Sequence, residues 1–488
     1  MPITLVNKIA ATLNPGDHPY LTGAWSPVHE EVDATDMQVI GEIPSDIDGV
    51  YIRNTENPVH DAIGRYHPFD GDGMLHLMRI SGGKAEYRNR FIRTRAFEAE
   101  QEAGRSLWIG CMGNPKKSEE KGWGAHGYVK DSSSTDVVVH AGNVLSTFWQ
   151  CGDGYRINPA TLETLGIERW TPKDGISAHP KLDPNTGELR FFNYSTEAPY
   201  MHYGVVGADN ELKHYTPVTL PAPRLPHDMA FSENYSILND FPMFWPQAAI
   251  AQGFYVPIFD RSMPSRFGII PRMGSDADVK WFEAAPTYVL HFTNAYEEGD
   301  EIVMDGYFQE NPYPSPLEEF GDKYKAMAAN IDLHSMKTHL HRWRFNMTTG
   351  QTVEEVLYDK EYVEFGTINQ QYATRKNRYI YSVVGKQNWF LFTGLRKHDL
   401  EAGTIEAYDF GEERYGSEAP FVPRIGASEE DDGYLISFIT DMKADRSECV
   451  ILDARDIAAG PVCRIILPHR ISSGTHAVWA QASEFEAA

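Results

Sequence analysis

Cysteine is scarce in this chain: Cys111, Cys151, Cys449 and Cys463 are the only four in 488 residues, and none has CxxC or zinc-finger spacing. Too few to staple so long a protein, they read as reduced thiols and place the chain in the cytoplasm. Basic residues are in deficit, 44 Lys and Arg against 69 Asp and Glu, for a net charge of -25. Such a surface repels polyphosphates and excludes nucleic acid as a partner.

The first residues, MPITLVNKIAATLNPGDHPYLTGAW, lack a charged segment leading into a continuous apolar one, so secretion is not expected. The longest uncharged apolar run, Phe241 to Phe259, is broken by Pro242, Pro246 and Pro257 and does not read as a bilayer-spanning helix. Its aromatics, Phe244, Trp245, Phe254 and Tyr255, still leave room for a peripheral membrane contact at the mouth of an apolar tunnel. Also absent are Gly/Ser- or Pro-rich linkers and blocks of like charge. The sequence therefore divides into an N-terminal extension, residues 1–35, and one domain over 36–488.

What the sequence does contain is short runs rich in Val, Ile, Tyr, Phe and Trp, such as VVVHAGNVLSTFW, GELRFFNY, NRYIYSVVG and DGYLISFIT. Between them lie turn phrases, NPATLETLG, DPNTGELR, NMTTGQTVEE and LDARDIAAGP, whose Asn, Asp, Pro and Gly supply special backbone angles. Many short antiparallel strands without a linker favour an all-β propeller over a sandwich. Helical patterning is local, in RAFEAEQEAGRSLW and LEEFGDKYKAMAANIDLHSM. The second lies in a long insertion and predicts a loop and short-helix cap on one face.

Of 18 histidines, four stand in distinctive phrases: His179 in ISAHPKLDPNTGEL, His227 in LPHDMAFSENYSIL, His291 in YVLHFTNAYEEGD and His476 in LPHRISSGTHAVW. The first three sit at the edge of an apolar strand followed by a turn. Their wide separation excludes an HExxH helix, and only strands converging on a propeller axis bring such residues together. Neutral imidazoles suit iron, copper, zinc or nickel, so donor chemistry alone does not choose the metal. His339 and His341 in THLHRWRF read as solvated strand residues, and Asp70 with Asp72 in FDGDGM as a tight turn rather than a calcium loop.

The phrases GEIPSDIDGVYIRNTENP, YHPFDGDGMLH, AHPKLDPNTGEL, HDMAFSENY, HFTNAYEE, EAPFVPR, DDGYLISFITD, SECVILDARD and GTHAVW, in this order, resemble the carotenoid cleavage oxygenases over about residues 36 to 480. The resemblance implies a seven-bladed β-propeller with Fe(II) held on its axis by His179, His227, His291 and His476. It further implies three carboxylates that accept the outer N–H of three of those rings, of which Glu364 and Glu418 match two. The third slot falls in LSTFWQCGDGYRI, a segment one residue longer than the family pattern, so that Trp149 or Gln150 fills it. A Gln150 carbonyl there would accept the N–H without adding charge.

The activity implied is cleavage of an alkene C=C by O2 into two carbonyl products, with no flavin or nicotinamide. In members that cleave stilbenes and phenylpropenes, a Tyr and a Lys read the substrate phenol. Those slots correspond here to Met112 and to Phe148 or Trp149, all apolar, which favours an apocarotenoid or carotenoid. Against this, Lys130 or Tyr128 could reach a phenol from another direction, as in cleavage of a stilbene, isoeugenol or vinylphenol. The same residues are also compatible with a catalytically silent ligand-binding propeller, and with a retinoid-type isomerohydrolase that incubation with labelled O2 would separate from an oxygenase.

Overall fold

The computed structural model of the chain describes residues 1–111, 113–122, 129–171, 175–252 and 257–485. Seven antiparallel sheets carry the fold among these residues. Five have four strands each, and the first and last have six. This is the seven-bladed β-propeller implied by the resemblance.

Strands in the middle of a blade are packed on both faces. All nine residues of Gly49–Asn57 are buried, as are all six of Leu189–Tyr194, LRFFNY. Each lies between neighbouring blades, so runs of apolar and aromatic side chains replace simple alternation. At the rim, Thr352–Tyr358, TVEEVLY, meets water along much of its length and carries charges between its apolar residues.

The two ends of the chain close the ring. Gly474–Gln481 is the inner strand of the first blade and pairs antiparallel with Gly49–Asn57, setting Trp479 opposite Tyr51. Gln38–Gly41 pairs with Pro461–Ile466 at the outer edge of the last blade. The seam is thus closed by strand pairing in both the first and the last blade. Residues 1–35, set apart in the sequence reading, contribute Ile3–Lys8 and Glu30–Ala34, two strands added outside Lys84–Phe91 of the first blade.

Helices are few and local. Arg95–Ala103 starts at Thr94, whose hydroxyl accepts from Phe97 N, and stops at Gly104 in a left-handed conformation, φ 67°. The other expected helix forms as two pieces, Gly321–Ala329 and Leu333–Met336, in the insertion between Glu301–Gln309 and Thr338–Asn346. Its buried Met327, Ile331 and Met336 pack with Tyr20, Trp25 and Phe390 to build the cap.

The FDGDGM segment is the tight turn expected. Asp70 accepts from His67 N and Cys111 N, and Asp72 pairs with Lys130 Nζ at 2.6 Å. His339 and His341 differ from expectation: both are buried, and their rings stack against Phe308 rather than facing water.

Candidate metal centre

Each blade contributes one inner strand to the axis, and near the head of every one stands a histidine or an acid. In chain order these are Asp136, His179, His227, His291, Glu364, Glu418 and His476, all within three residues of the first residue of their strand. The backbone is irregular there. Register shifts mark Phe292/Asn294, Glu364/Thr367 and Gly474/Ala477, and His179 and Phe365 have positive φ, 61° and 51°. Bulges of this kind re-aim side chains that a regular pleat would send into the blade.

The structure brings together all four histidines singled out in the sequence. One ring nitrogen from each lies within 4.8 Å of the others, and all four residues are buried. Nε2 of His179 and Nε2 of His227 stand 3.1 Å apart, converging on a shared point. Imidazole binds a metal at about 2.0–2.1 Å, which separates opposed donors by roughly 4 Å, the scale found here.

Three acids hold three rings from outside, each from an adjacent blade. His291 Nδ1–H donates to Glu364 Oε2 at 2.5 Å, and His179 Nδ1–H to Asp136 Oδ2 at 3.0 Å. Nδ1 of His476 lies 3.4 Å from Glu418 Oε2. With the proton fixed on Nδ1, the lone pair of each ring is on Nε2 and faces the centre. Sequence reasoning missed Asp136. Its signal is an acid heading the apolar strand DVVVH, one blade before His179.

His227 differs. Among the described residues no carboxylate pairs with it, and neighbouring Asp228 is taken by Lys181 Nζ at 2.8 Å. Trp149 and Gln150, the two candidates for a supporting role, both stand in the same cavity wall as His227. The Trp149 ring lies 6.4 Å from the His227 ring, and buried Gln150 Oε1 has no hydrogen-bond partner. Among the described residues Gln150 Oε1 therefore accepts from no ring N–H, the role it would have had on filling the slot that the sequence leaves to Trp149 or Gln150.

Burial, then repulsion from the other three rings, pushes His179 well below the ordinary imidazole range. Burial takes His227 down to about 3 and His291 well below its usual value. For His476 burial acts downward too, but the bond to Glu418 and the charges of Glu418 and Asp136 outweigh it and raise the value. His179, His227 and His291 thus offer neutral nitrogen donors, and carboxylates flank three of the four rings. Among the described residues buried His291 Nε2 has no hydrogen-bond partner, as befits a lone pair kept for a cation.

The family described as retinal pigment epithelial membrane protein matches residues 25–481. Carotenoid 9,10(9',10')-cleavage dioxygenase 1 of Arabidopsis thaliana is 34% identical, over 96% of this chain and 90% of its own. The chain belongs to this family, the carotenoid cleavage oxygenases. Isoeugenol monooxygenase of Pseudomonas putida is 29% identical, over 96% of this chain and 99% of its own. The crystal structure of Pseudomonas brassicacearum lignostilbene dioxygenase superposes with a TM-score of 0.86 at 25% identity, covering 96% of this chain and all of that one.

Two spaces meet at the histidines of this carotenoid oxygenase. An axial channel of about 260 Å³ is lined by His179, His291 and His476 with polar Asp136, Lys181 and Glu418. A second cavity of about 270 Å³ runs under the cap and contains His227, walled mainly by apolar groups such as Phe69, Leu225, Met243, Trp245 and Phe390. Of the positions expected to line the substrate pocket, Trp149 does so, Phe148 is buried but not part of this wall, and Met112 lies outside the described residues. Lys130 is engaged by Asp72 and by Glu100, 2.7 Å away, and is not part of the wall. Tyr128 lies outside the described residues.

The aromatics expected at the tunnel mouth are partly turned inward. Trp245 is 2% exposed in the cavity wall, and Phe244 lies under the Arg224 guanidinium, 5.2 Å from it. Phe254 and Tyr255 lie outside the described residues. No helix among the described residues is long and apolar enough to cross a membrane.

Proposed function

We propose that the chain is a mononuclear iron(II) dioxygenase that cleaves one C=C bond of an apolar alkene, each carbon taking one oxygen atom of O2 to give two carbonyl products. The observation that carries this is the convergence of four buried imidazoles at the end of an apolar cavity. Iron held there by His179, His227, His291 and His476 supplies the one-electron chemistry that O2 requires. Asp136, Glu364 and Glu418 keep three of the rings aimed inward by holding their outer N–H groups. The apolar wall, with Trp149 and Phe390, excludes water and seats the alkene beside His227. Incubation with isotopically labelled O2 tests the reaction: each carbonyl product should carry one labelled atom, and label in neither would sink the proposal.

For substrate, the reading is an apocarotenoid or carotenoid. It is supported by the wall, in which no Lys, Arg, Asp or Glu occurs among the described residues, so that nothing there balances a phenolate. The greater identity to the plant carotenoid enzyme than to isoeugenol monooxygenase points the same way. An apocarotenal should exceed 4-hydroxystilbene and isoeugenol in kcat/KM, because apolar burial contributes about 25 cal/mol per Å². A higher kcat/KM for either phenolic alkene would reverse this choice. That second reading is favoured by size: a cavity of about 270 Å³ lies just below the roughly 300–1,000 Å³ typical of small-molecule sites.

A further inference from the structure

In the apolar cavity Gln309 is set apart from the other wall amides, Gln150 and Asn330, in that both polar atoms of its side chain are buried without a partner among the described residues. Gln309, 1% exposed, lines the wall, and among the described residues neither its Nε2 nor its Oε1 has a hydrogen-bond partner. Its backbone is pinned: Gln309 N donates to Thr287 Oγ1 at 3.0 Å, and that hydroxyl lies 3.0 Å from Gln309 O. The position is therefore built, while the amide at its tip is unsatisfied. A buried polar group without a partner is destabilising, and leucine or methionine would remove that penalty here. Retaining an amide makes physical sense if a ligand completes it.

Gln309 is also suitably placed. It ends the strand Glu301–Gln309, in which Tyr307 N donates to His291 O at 3.1 Å. Two residues further on, at about 3.3 Å per residue, Gln309 stands roughly 7 Å along the strand from the level of the histidines. With the alkene bond beside the metal, the amide lies about one ring or a short polyene segment away.

We infer that Gln309 is a specificity-determining residue that hydrogen-bonds an uncharged oxygen of the substrate, a hydroxyl or a carbonyl. This rests on the alkene-cleavage reading and deepens it. The amide both donates and accepts, so it serves a hydroxyl in both roles and a carbonyl through Nε2 alone. A carboxylate or an ammonium would find no opposite charge among the described wall residues. The oxygen belongs either to an apocarotenoid end group or to a phenol.

The test uses iron-loaded protein and two pairs of compounds: an apocarotenal with its deoxygenated hydrocarbon, and 4-hydroxystilbene with stilbene. Binding is read without O2 by quenching of tryptophan fluorescence, since Trp149 and Trp245 line the cavity. Cleavage is read with O2 as kcat/KM. In the wild type the oxygenated member of one pair should bind about tenfold tighter, equivalent to about 1.4 kcal/mol. Which pair shows the preference identifies the source of the oxygen. Gln309→Leu should bring that ratio close to one without weakening the hydrocarbon, and Gln309→Met should do the same if the leucine variant folds poorly. An unchanged ratio in a folded variant, or no preference in the wild type, overturns the inference. If the binding preference and its loss are seen but no compound is cleaved, the cleavage reading fails and the role of Gln309 stands.

Discussion

His179, His291 and His476 line an axial channel that also carries Asp136, Lys181 and Glu418, and each meets a carboxylate, whereas His227 lines an apolar cavity without charged residues and meets none among the described residues. The two environments account for part of the difference, since Glu364, which holds His291, is itself fully buried. On the channel side Asp136 and Glu418 remain partly exposed, 15% and 14% for their side chains, so solvent helps to carry their charge. Beside His227 an acid would have to lie against the wall formed by Trp149, Leu225 and Trp245, where an unpaired charge is strongly disfavoured. One ring is therefore left more weakly oriented so that the substrate side stays uncharged.

Removing a ring is the severest way to probe this asymmetry. His291→Ala and His227→Ala each delete one of four donors, and metal analysis of the purified variants should find less than about a third of the wild-type iron, itself about one per chain. His291→Ala should lose more, because it also leaves Glu364, fully buried, without the ring it holds. Full iron in both variants would remove the four-histidine assignment.

Removing the acids should act more mildly and in graded order. Glu364→Ala, Asp136→Ala and Glu418→Ala should each lower iron affinity or turnover by roughly 10- to 100-fold. The order should follow the contact lengths of 2.5, 3.0 and 3.4 Å, with Glu364 largest and Glu418 smallest. Iron titration of the metal-free proteins measures it. Wild-type affinity in the Asp136 variant would show that His179 needs no such partner, and the contrast with His227 would lose one of its three supports.

Much of this was legible from phrases in the sequence. The strand runs, the turn at FDGDGM and the grouping of His179, His227, His291 and His476 follow from local pattern and family resemblance, because each is written within one short stretch of chain. What sequence did not reveal depends on how neighbouring blades meet. Asp136 is 43 residues from His179, and only the adjacency of two inner strands joins them. The burial of His339 and His341 follows from Phe308 on the paired strand, and Gln309 stands out only once its surroundings are known to be apolar. Phe148 illustrates the same limit from the other side, since Trp149 and Gln150, and not Phe148, stand in the wall.

The smallest expected effect is the one that most sharpens the comparison. Gln150 occupies the stretch where the family pattern places a third supporting acid, yet its Oε1 has no partner and His227 is not held by it. If that geometry is the working one, Gln150→Leu removes no contact to a metal-binding ring. Iron affinity should then change by less than about threefold, well short of the roughly 10- to 100-fold expected when a supporting partner is lost. The same variant should bind an apolar alkene at least as well as the wild type, since it replaces an unsatisfied amide with a hydrocarbon in an apolar wall. Iron titration and anaerobic ligand binding on one preparation measure both. A loss of iron as large as that in Glu364→Ala would mean that Gln150 does orient His227 in solution, and the division between three supported rings and one unsupported ring would have to be given up.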